Sequence, residues 1–361
     1  MGLFDPLTFP GGTCARNRVA LAPLTNLQSH LDGSLSEAEL RWLLRRAEGG
    51  FGMVTTCASH VALDGQGWPG ELGIFSDTLL PGLRTLGRGL AERGALGVVQ
   101  LFHGGARAPS KVTGQQPWSA SAFSENSPGF EIPRPATEED LQRVIGQFRD
   151  AALRAREAGF HGVEIHGAHG YLLSQFLSST MNLREDRWGG PLENRARLLR
   201  EVTQAIRKAT PPPFLVGVRI SPEDFGYAKG LDLDESLQLA DWLCADGIDF
   251  LHLSLWDAAN PTKKRPQSHP IPLFREVCGT AVRILAAGSL WSREDAEATL
   301  ARGADMVALG RAAILNPEWP REATQPGWLP RRPPLTPEEF HQREVSPRFV
   351  DYLRRWRGFV A

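Results

Sequence analysis

Short apolar runs alternate with longer amphipathic stretches along this chain, the pattern of a parallel sheet whose strands are covered by helices. Eight runs carry the strand signature: Arg18 to Pro23, Gly52 to Ala58, Leu96 to His103, Gly162 to His166, Phe214 to Ile220, Phe250 to Ser254, Ile284 to Gly288 and Met306 to Gly310. Between them the helical period predicts Ser36 to Ala47, Thr137 to Ala158, Leu192 to Lys208, Asp234 to Cys244 and Ser292 to Ala301. Thr137-Glu138-Glu139-Asp140 and Ser292-Arg293-Glu294-Asp295 read as helix starts, where a hydroxyl serves orphan amides and acids favour the dipole. Eight strand-helix units with no second sheet predict an α/β fold, one (β/α)8 TIM barrel over residues 1–361, with its active site at the carboxyl ends of the strands.

Two stretches stand outside that rhythm. Residues 104–136, rich in Ser, Pro and Gly, follow the third strand and form an insertion readable as a cap over the mouth or as a surface loop. Residues 320–361 form a C-terminal extension, either wrapping the barrel or making a homodimer contact.

Composition narrows the class. Forty Lys plus Arg against forty-one Asp plus Glu favour neither nucleic acid nor an anionic membrane as partner. Met1 to Pro6 lacks a signal-peptide pattern, and no apolar run approaches the roughly 20 residues that span a bilayer. Cys14, Cys57, Cys244 and Cys278 are scattered without a C-x-x-C pair, against a zinc ribbon, an iron-sulfur cluster or a disulfide framework. A soluble, cytoplasmic metabolic enzyme is the expectation.

The strand ends supply the chemistry. The fourth delivers His166-Gly167-Ala168-His169-Gly170-Tyr171, two imidazoles able to aim at one small acceptor beside a phenol able to donate a proton. The same H-x-x-H could bind zinc or be two satisfied core histidines, although no third ligand stands beside it. Gln100 ends the third strand with a donor and an acceptor that suit an amide-like edge. Arg219, on the fifth, places a guanidinium among aliphatics, where it needs an anion, a carbonyl cluster or a core acid. Ala287-Gly288-Ser289 and Gly310-Arg311 open the last two loops, the usual phosphate position in such barrels, for a flavin or a sugar phosphate. Thr25, in Ala22-Pro23-Leu24-Thr25, is a cofactor ligand or a helix cap, and the small Ala58 lets backbone approach a flat ring. Lys263 and Lys264, the lysines a Schiff-base lyase would need, read as a solvated pair. Trp68, Phe102, Phe123 and Trp256 are candidate pocket walls or core.

Five segments in order, Asn17 to Thr25, Gln100 to Gly105, Val163 to Leu172, Arg187 to Arg195 and Ala308 to Arg311, resemble the motifs of the Old Yellow Enzyme family of FMN-dependent ene reductases. The resemblance implies an NADH- or NADPH-dependent enzyme that reduces the C=C bond of an activated alkene, an α,β-unsaturated carbonyl compound, by hydride transfer from flavin N5. It implies that Ala22, Pro23, Leu24, Thr25, Ala58, Gln100 and Arg219 contact the isoalloxazine ring. Ala287, Gly288, Ser289, Gly310 and Arg311 would then hold the phosphate, His166 and His169 the substrate carbonyl, and Tyr171 the catalytic proton. The sequence departs from one bacterial branch, which has Cys at Thr25 and Tyr at Leu27, and from the other, which has Asn at His169. The extra glycine before Arg107 is a further departure.

Overall fold

Every predicted apolar run contains a strand. The computed structural model describes residues 2–361 and contains β1 (Val19–Leu21), β2 (Met53–His60), β3 (Leu96–Phe102), β4 (Gly162–Gly167), β5 (Leu215–Ile220), β6 (Phe250–Ser254), β7 (Arg283–Ala287) and β8 (Met306–Leu309). Successive strands pair in parallel, and β8 returns to β1, so the sheet closes into a barrel. Around it lie α1 (Glu37–Glu48), α2 (Leu80–Glu92), α3 (Glu138–Glu157), α4 (Arg197–Ala209), α5 (Leu233–Ala245), α6 (Pro270–Cys278), α7 (Arg293–Ala301) and α8 (Arg311–Leu315). No helix among the described residues is long and apolar enough to cross a membrane.

The differences from the predicted boundaries have local causes. Strand β1 ends at Leu21, two residues before Pro23, which has no amide to give a ladder. Strand β2 runs past Ala58 because its pairing with β3 resumes after an irregularity between Thr55 and Ala58; this sets Ala58 opposite Gln100. Both capping boxes form, at Thr137 with Asp140 and at Ser292 with Asp295. The helix predicted from Leu192 is interrupted at Ala196, where the buried Arg195 turns inward and donates to the carbonyls of Leu177 and Gly190. Helices α2, α6 and α8 lie outside the predicted set. Glycines weaken the periodic signal of α2, and Gly87 is required there: a Cβ would lie 2.3 Å from the carbonyl oxygen of Ala158.

The barrel interior divides into an apolar floor and a polar upper layer. Leu215, Phe250, Leu285 and Met306 fill the floor with Leu7, Phe9 and Ala15 of an N-terminal hairpin, and Phe9 meets the Phe250 ring edge-on at 6.0 Å. Water is excluded from below. Further along their strands, Arg219 and His252 stand opposite each other with Gln100, Glu164 and His166 nearby, all buried.

The C-terminal extension wraps the barrel. Phe349 packs against Trp42 of α1 at 5.6 Å, Ser346 N–H donates to Gln28 Oε1 at 3.2 Å, and Leu335 bridges Val360. Its anchor is Arg46, fully buried in α1, which donates to the carbonyls of Trp42, Ala313, Ile314 and Arg343 and lies 4.7 Å over the Trp42 ring. Replacing Arg46 with Met strands these acceptors and should cost about 3 kcal/mol. The check is a lowered denaturation midpoint; an unchanged midpoint would show that the extension is held by its aromatic contacts alone.

Candidate active site

Two connected spaces open at the carboxyl ends of the strands, one of about 470 Å³ and a narrower one of about 210 Å³ along the ends of β7 and β8. Pro23, Leu24, Thr25, Ala58, Gln100, His166, His169, Tyr171, Arg219, Ser289 and Arg311 line the larger; Ala22, Ala287, Gly288 and Gly310 line the smaller. All the site residues expected from the sequence therefore meet in one place. Their combined size falls in the range of small-molecule sites.

The turn after β4 builds the centre. His169 adopts φ 62°, a left-handed conformation that costs a non-glycine residue on the order of 1 kcal/mol. Gly170 follows at φ 74°, and a Cβ there would lie 2.4 Å from the carbonyl oxygen of Tyr227. The turn brings His166 and His169 to 4.9 Å between ring centroids, and His166 and Tyr171 to 5.1 Å.

Hydrogen bonds orient both rings and assign the His166 proton. Ala168 N–H donates to His166 Nδ1 at 3.2 Å, so the ring carries its proton on Nε2. Arg219 Nη2 donates to Ser254 Oγ at 3.0 Å, and Ser254 Oγ lies 2.7 Å from His169 Nε2. Ser254 Oγ thus links the guanidinium to His169 Nε2 and holds the ring in place. Burial and then Arg219 hold His166 down at about 3 and His169 well below the usual histidine range. Both rings are neutral donors.

Tyr171 sits against the edge of Phe102 at 4.6 Å, with Trp68 at 6.5 Å. Burial and then the carboxyl group of Glu71 push its phenol above the ordinary value. Glu71 also fixes the Trp68 loop, accepting from Gly67 N–H at 2.7 Å. Thr25 and Tyr352 both line the cavity, and the cap of α1 is Ser36 rather than Thr25.

Beneath the cavity floor, Glu164 accepts from Gln100 Nε2 at 2.7 Å and lies 2.7 Å from His252 Nδ1. Arg219 Nε and His252 Nε2 are buried without a partner. At the narrow end, Arg311 Nη2 donates to Ser289 Oγ at 3.2 Å. A Cβ at Gly310 would meet only Leu24, at 3.4 Å, whereas one at Gly288 would lie 2.8 Å from Ala258 N. Gly288 thus serves the packing of the loop after β6 rather than space for a ligand.

Several expectations change. Trp68 and Trp256 line the cavity, but Phe102 is buried behind Tyr171 and Phe123 packs on Phe130. No residue of 104–136 lines either space. The insertion is held at the side, with Arg107 paired to Glu125 and stacked 3.7 Å from the Tyr227 ring, and Trp118 Nε1 donating to Asp64 at 3.0 Å. Lys264 pairs with Asp232 and Asp234, and Lys263 donates to the carbonyl of Asp224. The wall missed from sequence is the tail: Phe349, Tyr352, Leu353, Trp356 and Phe359 face the cavity. The first four have helical spacing i, i+3, i+4, i+7, a signal that was available.

The sequence profile of the NADH:flavin oxidoreductase / NADH oxidase family matches residues 2–326. The chain is 40% identical over 329 residues to a probable NADH-dependent flavin oxidoreductase, YqiG, of Bacillus subtilis, covering 88% of this chain and 86% of that protein. It is 33% identical to an NADH:fumarate oxidoreductase of Klebsiella pneumoniae, covering 88% of this chain but 35% of that longer protein. The structure is similar to that of an Old Yellow Enzyme homologue from Zymomonas mobilis, with a TM-score of 0.83 and 29% identity over 98% of this chain and 99% of that one. On these grounds the chain belongs to the NADH:flavin oxidoreductase / NADH oxidase family, as an Old Yellow Enzyme-type oxidoreductase that uses FMN with NADH or NADPH.

Proposed function

We propose that this protein is an ene reductase acting on α,β-unsaturated carbonyl compounds, with Tyr171 as proton donor. The observation that carries the reading is the convergence of two neutral imidazoles and one protonated phenol over a buried guanidinium. The residues present fit FMN. Arg219 Nε is a buried donor in need of an acceptor, and Gln100 lines the cavity with its amide. Gly310 leaves open space beside Arg311 and Ser289, a donor set suited to a phosphate.

Arg219, Gln100, Thr25 and the backbone of Ala22 to Leu24 would hold the ring, with Ala58 leaving room for it. Ala287 to Ser289, Gly310 and Arg311 would hold the phosphate. When bound, FMN accepts a hydride from NAD(P)H and returns one, through N5, to an alkene carbon.

The protein's part is positioning and charge. His166, through Nε2–H, and His169 donate to the carbonyl oxygen of the alkene, stabilising the charge that develops there by about 3 kcal/mol per donor. Tyr171 keeps its Oη proton until the α-carbon becomes basic enough to take it. Phe102, Trp68 and the tail aromatics exclude water that would compete for that proton.

Replacing Tyr171 with Phe should slow alkene reduction by roughly 10²- to 10⁴-fold while reduction of the flavin by NAD(P)H keeps its rate. Stopped-flow absorbance separates the two half-reactions; unchanged turnover with several enones would refute the donor role. The pH profile follows from the directions above. The phenol is raised, so its acid form persists beyond the ordinary tyrosine value of about 10, and the lowered histidines stay neutral through their usual value of about 6.5. Alkene reduction should therefore show neither an acid limb near pH 6.5 nor an alkaline limb below pH 10, on the order of the reference values. A midpoint between about pH 6 and 7 would mean that a charged histidine takes part.

A further inference from the structure

One carboxylate in the polar layer takes no part in the chemistry above. Glu164 lies inside the barrel on β4, two residues before His166, and is buried. Its Oε1 accepts from Gln100 Nε2 and its Oε2 faces His252 Nδ1, each at 2.7 Å. Arg219 is close enough to favour the charged carboxylate, and β5 runs alongside β4 with Arg219 opposite His166.

The charges of the group can be assigned. Burial opposes ionisation of Glu164, but the hydrogen bonds from His252 and Gln100 and the charge of Arg219 hold it below the ordinary carboxylate value, and it is ionised. His252 is lowered by burial, so it is a neutral ring that donates Nδ1–H to Glu164 and leaves Nε2 without a partner. Arg219 remains a cation whose charge is shared between Glu164 below and the cavity above. Gln100 spends an N–H on Glu164, so its amide is fixed with Oε1 as the acceptor for a ring N–H.

Resting on the reading of Gln100 and Arg219 as ring contacts, we propose that Glu164 is a positioning residue that sets the redox balance of the bound FMN. It orients the Gln100 amide, and it partly neutralises the positive charge that Arg219 presents to the reduced cofactor. The reduced cofactor carries negative charge near N1, so a carboxylate below Arg219 weakens its stabilisation while the neutral oxidised ring is indifferent to it. His252 counters this by donating to the carboxylate and withdrawing part of its charge. Glu164 and His252 therefore act in opposite directions through Arg219.

The experiment is an equilibrium measurement of the midpoint potential of the bound FMN, with the dissociation constant of oxidised FMN measured beside it. Glu164→Gln keeps the shape and removes the charge; it should favour reduced over oxidised cofactor about tenfold or more, a rise of about 30 mV for a two-electron couple. His252→Phe removes the donor, keeps a ring, and should lower the potential. It also decides the matter where Glu164→Gln does not yield folded, FMN-loaded protein. A purely structural role would weaken binding of both oxidation states alike and leave the potential in place. An unchanged or lowered potential in Glu164→Gln, or an unchanged or raised one in His252→Phe, overturns the proposal. Failure of the wild-type protein to bind FMN would instead sink the reading on which it rests.

Discussion

The guanidinium of Arg219, buried near the mouth of the barrel, is the constraint around which the rest of the site is arranged. A buried cation is tolerated only with partners of good geometry. The fold supplies Ser254 at 3.0 Å and the charge of Glu164, and leaves Nε uncommitted toward the cavity. The same positive charge, added to burial, keeps His166 and His169 unprotonated. Neutral imidazoles are donors that carry no charge of their own to a carbonyl. One buried charge thus determines both what the cavity can bind and what its histidines can do.

Geometry then depends on two backbone devices. The left-handed pair His169 and Gly170 folds the chain back at the end of β4, so residues three and five positions apart face one space. The C-terminal extension, fastened by Arg46 and Phe349, brings aromatic residues into the cavity wall. Floor, wall and cover come from segments remote in sequence, and the hydrophobic floor around Phe250 keeps the polar layer from opening to water below.

The strands were legible because each is a short apolar run between turn residues, and the strand-end rule then located the site without coordinates. The His166, His169 and Tyr171 turn was legible as a cluster, but not the hydrogen bonds that orient its rings, which come from Ser254 of β6 and the amide of Ala168. The role of Glu164 was invisible for the same reason: a carboxylate within an apolar strand gains meaning only when β3 and β6 present Gln100 and His252 to it. For insertion 104–136, length and composition fit a cover and a surface loop alike, and only its contacts place its residues outside both cavity spaces. The tail is legible as a wrapping extension but not as a cavity wall, because its Pro and Arg content obscures the spacing of Phe349, Tyr352, Leu353 and Trp356.

On the proposed reading, Arg219 and its partners serve a site that stores reducing equivalents on FMN and passes them to an alkene held by two neutral histidines. An anaerobic spectral titration tests this account most directly. The purified protein should be yellow, its flavin absorbance should be bleached by NADH or NADPH, and cyclohexenone should restore it mole for mole. Colourless protein that takes up no FMN, or a bleached flavin that no enone reoxidises, would contradict it.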